Sequence, residues 1–299
     1  MGVPAETPVD SLYIAGLAED VLRSCRARLA RDLDEGLRIA VLTLFAPLGG
    51  SDLDALAREG IDVYSAGLPN GAERHPGRRP LEALAAEPNE VDEDCLARAS
   101  AQLLDLGSRT RAKQVYAPLG VGGHPDRRLA HDAARNVFRS GSGRDVFFYE
   151  ERPEALLHGA VRVRLAQIGA RLPPAAADAA ERATLLRFML RFHVGPSSRG
   201  EIRGGRERLR ALPLAARFWR DGQGWQPQRS RGPRLQPVVW ELEASGRFTA
   251  APPKDRRTDG LESAYGRRLN AGAHAERCWL LLPPLAGDHS EDLPLAAGA

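Results

Sequence analysis

The sequence predicts an α/β protein with a Rossmann-like, doubly wound, mostly parallel sheet and helices on both faces. Three observations carry this. Short apolar runs rich in β-branched and aromatic residues alternate with segments of helical spacing, the pattern of successive βαβ units. One run, Arg38 to Phe45 (RIAVLTLF), is apolar almost throughout, as a strand covered on both faces must be. A third run, Val115-Tyr116-Ala117, ends abruptly in Pro118, Gly120, Gly122 and Gly123 before another helical segment begins.

Taken in order, Leu12 to Ala15 reads as the first strand, ended by Gly16. Val21 to Leu33 follows as a helix, with Val21, Leu22, Cys25, Leu29 and Leu33 on one side and Gly36 as its stop. After the strand 38–45, Ser51 to Glu59 is a short helix capped by Ser51 or Asp52. Ile61 to Ser65 is a strand, and Leu68 to Pro80 a loop rich in Gly, Pro, Arg and Asn. Val91 to Leu106 is a helix, Gln114 to Ala117 a strand and Arg127 to Phe138 a helix. Asp145 to Tyr149 is the fifth strand, and Pro153 to Ala170 a helix entered through proline.

Beyond Leu172 the pattern changes. Pro173 to His193 and Arg206 to Trp219 read as helices. Gly195 to Gly205, Gly222 to Pro237 and the polar, proline-broken Ala250 to Arg257 read as loops. Val238 to Leu242 and Cys278 to Leu282 read as strands, and the tail from Gly287 as frayed. The expected organisation is a core of residues 1–171 with an extension, 172–299, of helices and a few strands packed on it. No internal repeat is visible.

Composition bounds the function. Of 299 residues, 43% are hydrophobic and 27% charged, which is ordinary globular usage. The 42 Lys+Arg and 39 Asp+Glu give a net charge of +3, too weak a bias to point to nucleic acid. The richness in arginine and alanine is common in GC-rich bacterial genomes. Three cysteines without CxxC spacing suit a reduced, cytoplasmic protein. No apolar run approaches the ~20 residues of a membrane span, and the N-terminus carries no secretory or myristoylation pattern. No GxGxxG follows the first strand, which argues against a dinucleotide.

The segment Gln114 to Asp132 (QVYAPLGVGGHPDRRLAHD) presents His124 and Asp126 between the carboxyl end of a strand and the start of a helix, where open α/β sheets bind ligands. This segment resembles the second motif of the LmbE-like (PIG-L) metal-dependent N-deacetylases, a His-x-Asp-His pattern. The resemblance extends over Ser11 to Leu157. It takes in SLYIAGLAEDVLRSC, RIAVLTLFAP, GLPNGAERH and DVFFYEERPEAL.

In that family a His-Pro-Asp-Asp pattern ends the first strand. Its histidine and second aspartate bind zinc, its first aspartate is the general base, and the last histidine of the later motif is the third ligand. Here the ligand positions hold Leu17, Asp20 and Arg127, and Glu19 stands at the base position. Leucine has no donor atom, and a guanidinium stays charged and repels a dication. The resemblance implies that His124 helps stabilise an oxyanion and that Asp126 orients it.

Each residue also has a plainer role. His124 could hydrogen-bond loop backbone, and Asp126 could cap the helix beginning at Arg127. Glu19 and Asp20 lie where a helix dipole favours carboxylates. His131 is expected on the surface. Arg74 and His75, in a basic loop with Arg78 and Arg79, are expected to be solvated or to bind an anionic ligand. The four tryptophans are expected in packing roles. Pro125 keeps His124 out of the helix, which argues against a metal set of His124, Asp126 and His131.

The expectation is a deacetylase homologue that has lost its zinc site. It would need no cofactor, and would bind an N-acetylated amino sugar or glycoconjugate, or pair with a protein partner. The alternative is an active N-deacetylase on an N-acetylglucosamine-type substrate, with a rewired site using Glu19 and His124, or with zinc. Charge balance adds one structural expectation: Arg127 takes the vacated metal position and pairs with Asp20 or Glu19. Otherwise Arg127 and Arg128 face solvent, and Asp20 caps its own helix or pairs with Arg23.

Overall fold

The computed structural model describes residues 8–46, 51–77, 88–138, 143–152, 155, 160–172, 231–241 and 275–283. In chain order these form β1 (Ser11–Ala15), α1 (Ala18–Ser24), α2 (Arg26–Asp34), β2 (Ile39–Phe45), α3 (Ser51–Arg58), β3 (Asp62–Leu68) and α4 (Gly71–Arg74). There follow α5 (Glu90–Thr110), β4 (Gln114–Pro118), a 3-10 turn (Val121–Gly123), α6 (Pro125–Val137), β5 (Asp145–Tyr149), α7 (Ala160–Gln167), β6 (Arg234–Glu241) and β7 (Ala275–Leu282).

The seven strands form one sheet in the order β3-β2-β1-β4-β5-β7-β6. The first five are parallel, and the doubly wound expectation holds. β7 runs antiparallel to β5, and β6 antiparallel to β7. Strand order reverses between β1 and β4, so a crevice opens at their carboxyl ends.

Alternation along β1 builds two cores. Leu12 and Ile14 face the layer holding Leu103, Leu106, Ala130 and Ala134 of α5 and α6. Tyr13 and Ala15 face Val21 and Leu29 of α1 and α2. Tyr13 stacks on Tyr116, and Tyr116 on Phe147, with centroids 4.5 and 5.0 Å apart.

Three local expectations are corrected. The helix expected over Val21 to Leu33 is two helices that break at Cys25 (φ −125°, ψ 19°). The cause is tertiary: buried Glu276 of β7 accepts the backbone N–H of Ala27 (2.8 Å) and of Arg28 (3.0 Å). It thereby caps a fresh helix start that has no side-chain cap of its own. The loop expected from Leu68 contains α4, closed by a capping box between Asn70 and Glu73. The loop expected over Gly222 to Pro237 gives way to β6 at Arg234. Pro237 masks that strand in the sequence, but β6 lies at the sheet edge, where proline is tolerated. Of the helix expected over Pro153 to Ala170, α7 (Ala160–Gln167) is described, and 153–154 and 156–159 lie outside the described residues.

The helices expected over 173–193 and 206–219, the loops over 195–205 and 250–257 and the tail from Gly287 lie outside the described residues. So do Arg78 and Arg79. Cys25, Cys95 and Cys278 are free and buried. Among the described residues, no helix is long and apolar enough to cross a membrane. Trp279 is buried, and its Nε1 donates to Glu150 at 2.8 Å.

Candidate functional site

The crevice is built by the β1–α1 loop, α4 and the turn leading into α6. β1 ends in Gly16, and Leu17 is the N-cap of α1. Asp20 sits in the first turn of α1, where its Oδ2 accepts the N–H of Leu17 at 3.2 Å. The Leu17 side chain packs, partly buried, against the core. On the opposite wall His124 is the N-cap of α6 and Pro125 its first residue. Arg127, one turn in, points back across the crevice.

Arg127 donates to Oδ1 of Asp20 through Nε (3.0 Å) and Nη2 (2.8 Å). The two side chains are 10% and 3% exposed, so this is an interior ion pair. Both nitrogens meet one oxygen instead of forming a two-oxygen fork, because Oδ2 is occupied by its own helix. Glu19 pairs with Arg23 on its own helix. Its carboxylate is 37% exposed and meets Arg23 at 3.2 Å.

Asp126 is buried rather than a surface cap. Its backbone N–H donates to Nδ1 of His124 (3.3 Å), so the histidine is the capping side chain. The Asp126 carboxylate takes Nη1 of Arg74 at 2.9 Å, and His124 Nδ1 stands 3.9 Å from its Oδ2. Arg74 also donates to Asp92 (2.9 Å) and to the Pro69 carbonyl (2.8 Å). His75 meets the same Asp92 at 2.9 Å. Arg74 and His75 are therefore turned inward, and the solvated basic loop expected for them is not formed. Burial lowers the affinity of Arg74 for its proton, but the carboxylates of Asp126 and Asp92 outweigh it and leave its pKa raised. A side chain on Gly16 would come within 3.3 Å of Asp20 Oδ2 and 3.8 Å of the Asp126 backbone carbon and Cβ, so this glycine lies between the two aspartates. Each is closed by an arginine from another element.

His131, expected on the surface, is fully buried. Its Nδ1 lies 2.9 Å from the Pro118 carbonyl, and its ring tilts against Phe148. Burial, with Arg164 and Arg135 nearby, holds its pKa well below the usual histidine value.

Sequence reasoning passed over two further groups. Glu151, fully buried after β5, accepts the backbone N–H of Gly120 (2.6 Å) and Val121 (3.0 Å). Arg164 of α7 donates Nε to the Leu119 carbonyl at 2.7 Å. A buried carboxyl group and a guanidinium thus hold the turn that leads to His124. Burial pushes the Glu151 carboxyl up to about 8 and the Arg164 guanidinium down to about 10. The one hint of Glu151 in the sequence is an acidic pair directly after a buried strand.

No family model and no curated protein matches this chain. Solved structures do. A deacetylase–bog complex from the teicoplanin biosynthesis pathway aligns with a TM-score of 0.50 and 14% identity, over 92% of this chain and 98% of that one. The zinc-inhibited form of a teicoplanin deacetylase gives the same values. The fold is that of the LmbE-like deacetylases. In the LmbE-like fold the crevice between β1 and β4 is the site to which the sequence resemblance assigns zinc. Asp20 and Arg127, two of the three residues that the resemblance sets at its ligand positions, pair there, and Leu17 caps the helix that carries Asp20. Among the described residues, no three His, Cys, Asp or Glu side chains come together to hold a metal ion.

Proposed function

We propose that this chain is a deacetylase-fold protein that binds an N-acetylated amino sugar or glycoconjugate and does not carry out zinc-dependent N-deacetylation. One observation carries the reading: the guanidinium of Arg127 lies on Asp20, the one anionic group at the family's ligand positions. The residues there do not fit zinc. A single carboxylate already engaged by a cation cannot select a transition metal, and Leu17 adds no donor. Glu19, at the family's base position, is one methylene longer than aspartate and is drawn toward Arg23.

The crevice keeps hydrogen-bonding groups suited to a sugar amide: His124 at its half-exposed end and the buried pairs behind it. A glycoconjugate ligand is inferred from the fold shared with deacetylases of the teicoplanin pathway.

The test uses the purified, untagged chain. Elemental analysis should find far less than one zinc per chain. Calorimetry with an N-acetylglucosamine glycoside should register binding, and acetate release should stay at background with or without added zinc. Stoichiometric zinc that survives chelator overturns the reading. So does turnover that disappears in Glu19→Ala, which would establish the rewired hydrolase. An absence of glycoside binding removes the ligand assignment.

A further inference from the structure

The segment Leu68–His75, part of the loop expected over Leu68 to Pro80, is docked against the turn that carries His124. A side chain on Gly71 would lie 3.0 Å from Pro125 and 3.3 Å from Asp126 Oδ1, so the two segments touch backbone to side chain. α4 is fixed by its own capping box: Asn70 accepts from Ala72 (3.0 Å) and Glu73 (3.1 Å), and Glu73 accepts from Asn70 (2.8 Å). That box aims Arg74 at Asp126. The Arg74 side chain is fully buried, with Asp92 on one side, Asp126 on the other and the Pro69 carbonyl between them.

This arrangement sets the proton of His124. An Asp–His pair ordinarily puts the proton on the imidazole nitrogen that faces the carboxylate. Here Nδ1 of His124 instead accepts the N–H of Asp126, which requires Nδ1 to be unprotonated. The Asp126 carboxylate is 3.9 Å away and engaged by Arg74. A neutral ring with a bare Nδ1 carries its proton on Nε2.

We propose that Arg74 is a positioning residue: by holding Asp126, it keeps His124 as the neutral Nε2–H tautomer, so that the half-exposed end of the site offers an N–H donor to an amide carbonyl oxygen. The amide ligand rests on the function proposed above; the tautomer does not. The charged groups facing Asp126 are Arg74 of α4, Asp92 and His75 behind it, His124 of its own turn, and the Asp20–Arg127 pair across Gly16. Arg74 hydrogen-bonds the carboxylate through Nη1 at 2.9 Å.

The test is the ¹⁵N spectrum of the histidine rings in the ligand-free full-length chain, with His124 assigned by its loss in His124→Gln. At neutral to mildly alkaline pH, Nδ1 of His124 should be pyridine-like and Nε2 pyrrole-like. In Arg74→Gln the released carboxylate should draw a proton to Nδ1, which shifts to the pyrrole-like region. Arg74→Gln combined with Asp126→Asn should restore the original signature. A purely structural role for Arg74 would not move the tautomer and then restore it. Should Arg74→Gln fail to fold, Arg74→Lys keeps the charge without the fork and should give a mixed signature. A wild-type chain already protonated on Nδ1, or a folded Arg74 variant with the wild-type signature, overturns the proposal. Because no ligand is present, either result stands apart from the sugar-binding reading.

Discussion

Arg127 reaches across the crevice between β1 and β4 and donates two N–H groups to a single oxygen of Asp20, at 3.0 and 2.8 Å. Removing either partner leaves a buried charge unpaired, whereas removing both leaves none. Arg127→Met should therefore cost about 3–5 kcal/mol. Arg127→Met combined with Asp20→Asn should cost clearly less than the two single changes summed. Urea unfolding of the four proteins checks this, and strict additivity would count against a coupled pair.

Restoring the family's ligands is a separate test. Leu17→His with Arg127→His places two imidazoles beside Asp20, the donor set of an open zinc site. The double variant should take up about one zinc per chain after dialysis, a stoichiometry set by that donor count. Neither single variant should. Acetate release should remain absent even in the metallated double variant, because a displaced base costs most of its rate. Failure of the folded double variant to hold zinc would show that β1 and α6 do not present these positions at ligand distance.

Two buried groups give stability opposed pH slopes. Glu151 is raised by burial to about 8, against about 4.3 when unfolded. Between those values the folded state holds the extra proton, so stability falls as pH rises through this window. His131 is lowered by burial, from an unfolded value of about 6.5. Below that value the unfolded state binds the extra proton, so stability falls as pH falls. The two contributions oppose each other on the acid side of about 6.5, and Glu151 acts alone from there to about 8. Relative to wild type, Glu151→Gln should lose the decline between neutrality and mild alkali and expose the acid-side decline. His131→Asn should lose the acid-side decline. Melting temperatures from pH 4.5 to 8.5 read both; parallel curves would mean these groups do not titrate differently on unfolding.

Glu276 of β7 caps α2, at 2.8 and 3.0 Å from two backbone nitrogens. Glu276→Ala should cost on the order of 1–3 kcal/mol, the range for leaving such donors unmet. It should also speed amide exchange at Ala27 and Arg28 more than in α5. Unchanged exchange there would mean that α2 starts at Arg26 without Glu276.

What the sequence determined by itself was the parallel core and the strand-to-helix turn that carries His124 and Asp126. Strand period, apolar runs and glycine breaks are local signals, and five strands with their helices follow from them. That leucine offers no donor atom and a guanidinium repels a dication is likewise a matter of residue type, read without any coordinates. The tertiary structure alone decided who pairs with whom. It put Arg127 on Asp20 rather than Glu19, split a continuous helical pattern at Cys25 with a carboxylate some 250 positions away, and buried Arg74, His75 and His131. Hydropathy reads such side chains as exposed because a lone charge or imidazole is costly to bury. Here each is matched inside by a partner: Asp126 and Asp92 for Arg74, Asp92 for His75 and the Pro118 carbonyl for His131. Those partners are distant in sequence, and no local pattern encodes a distance across the fold.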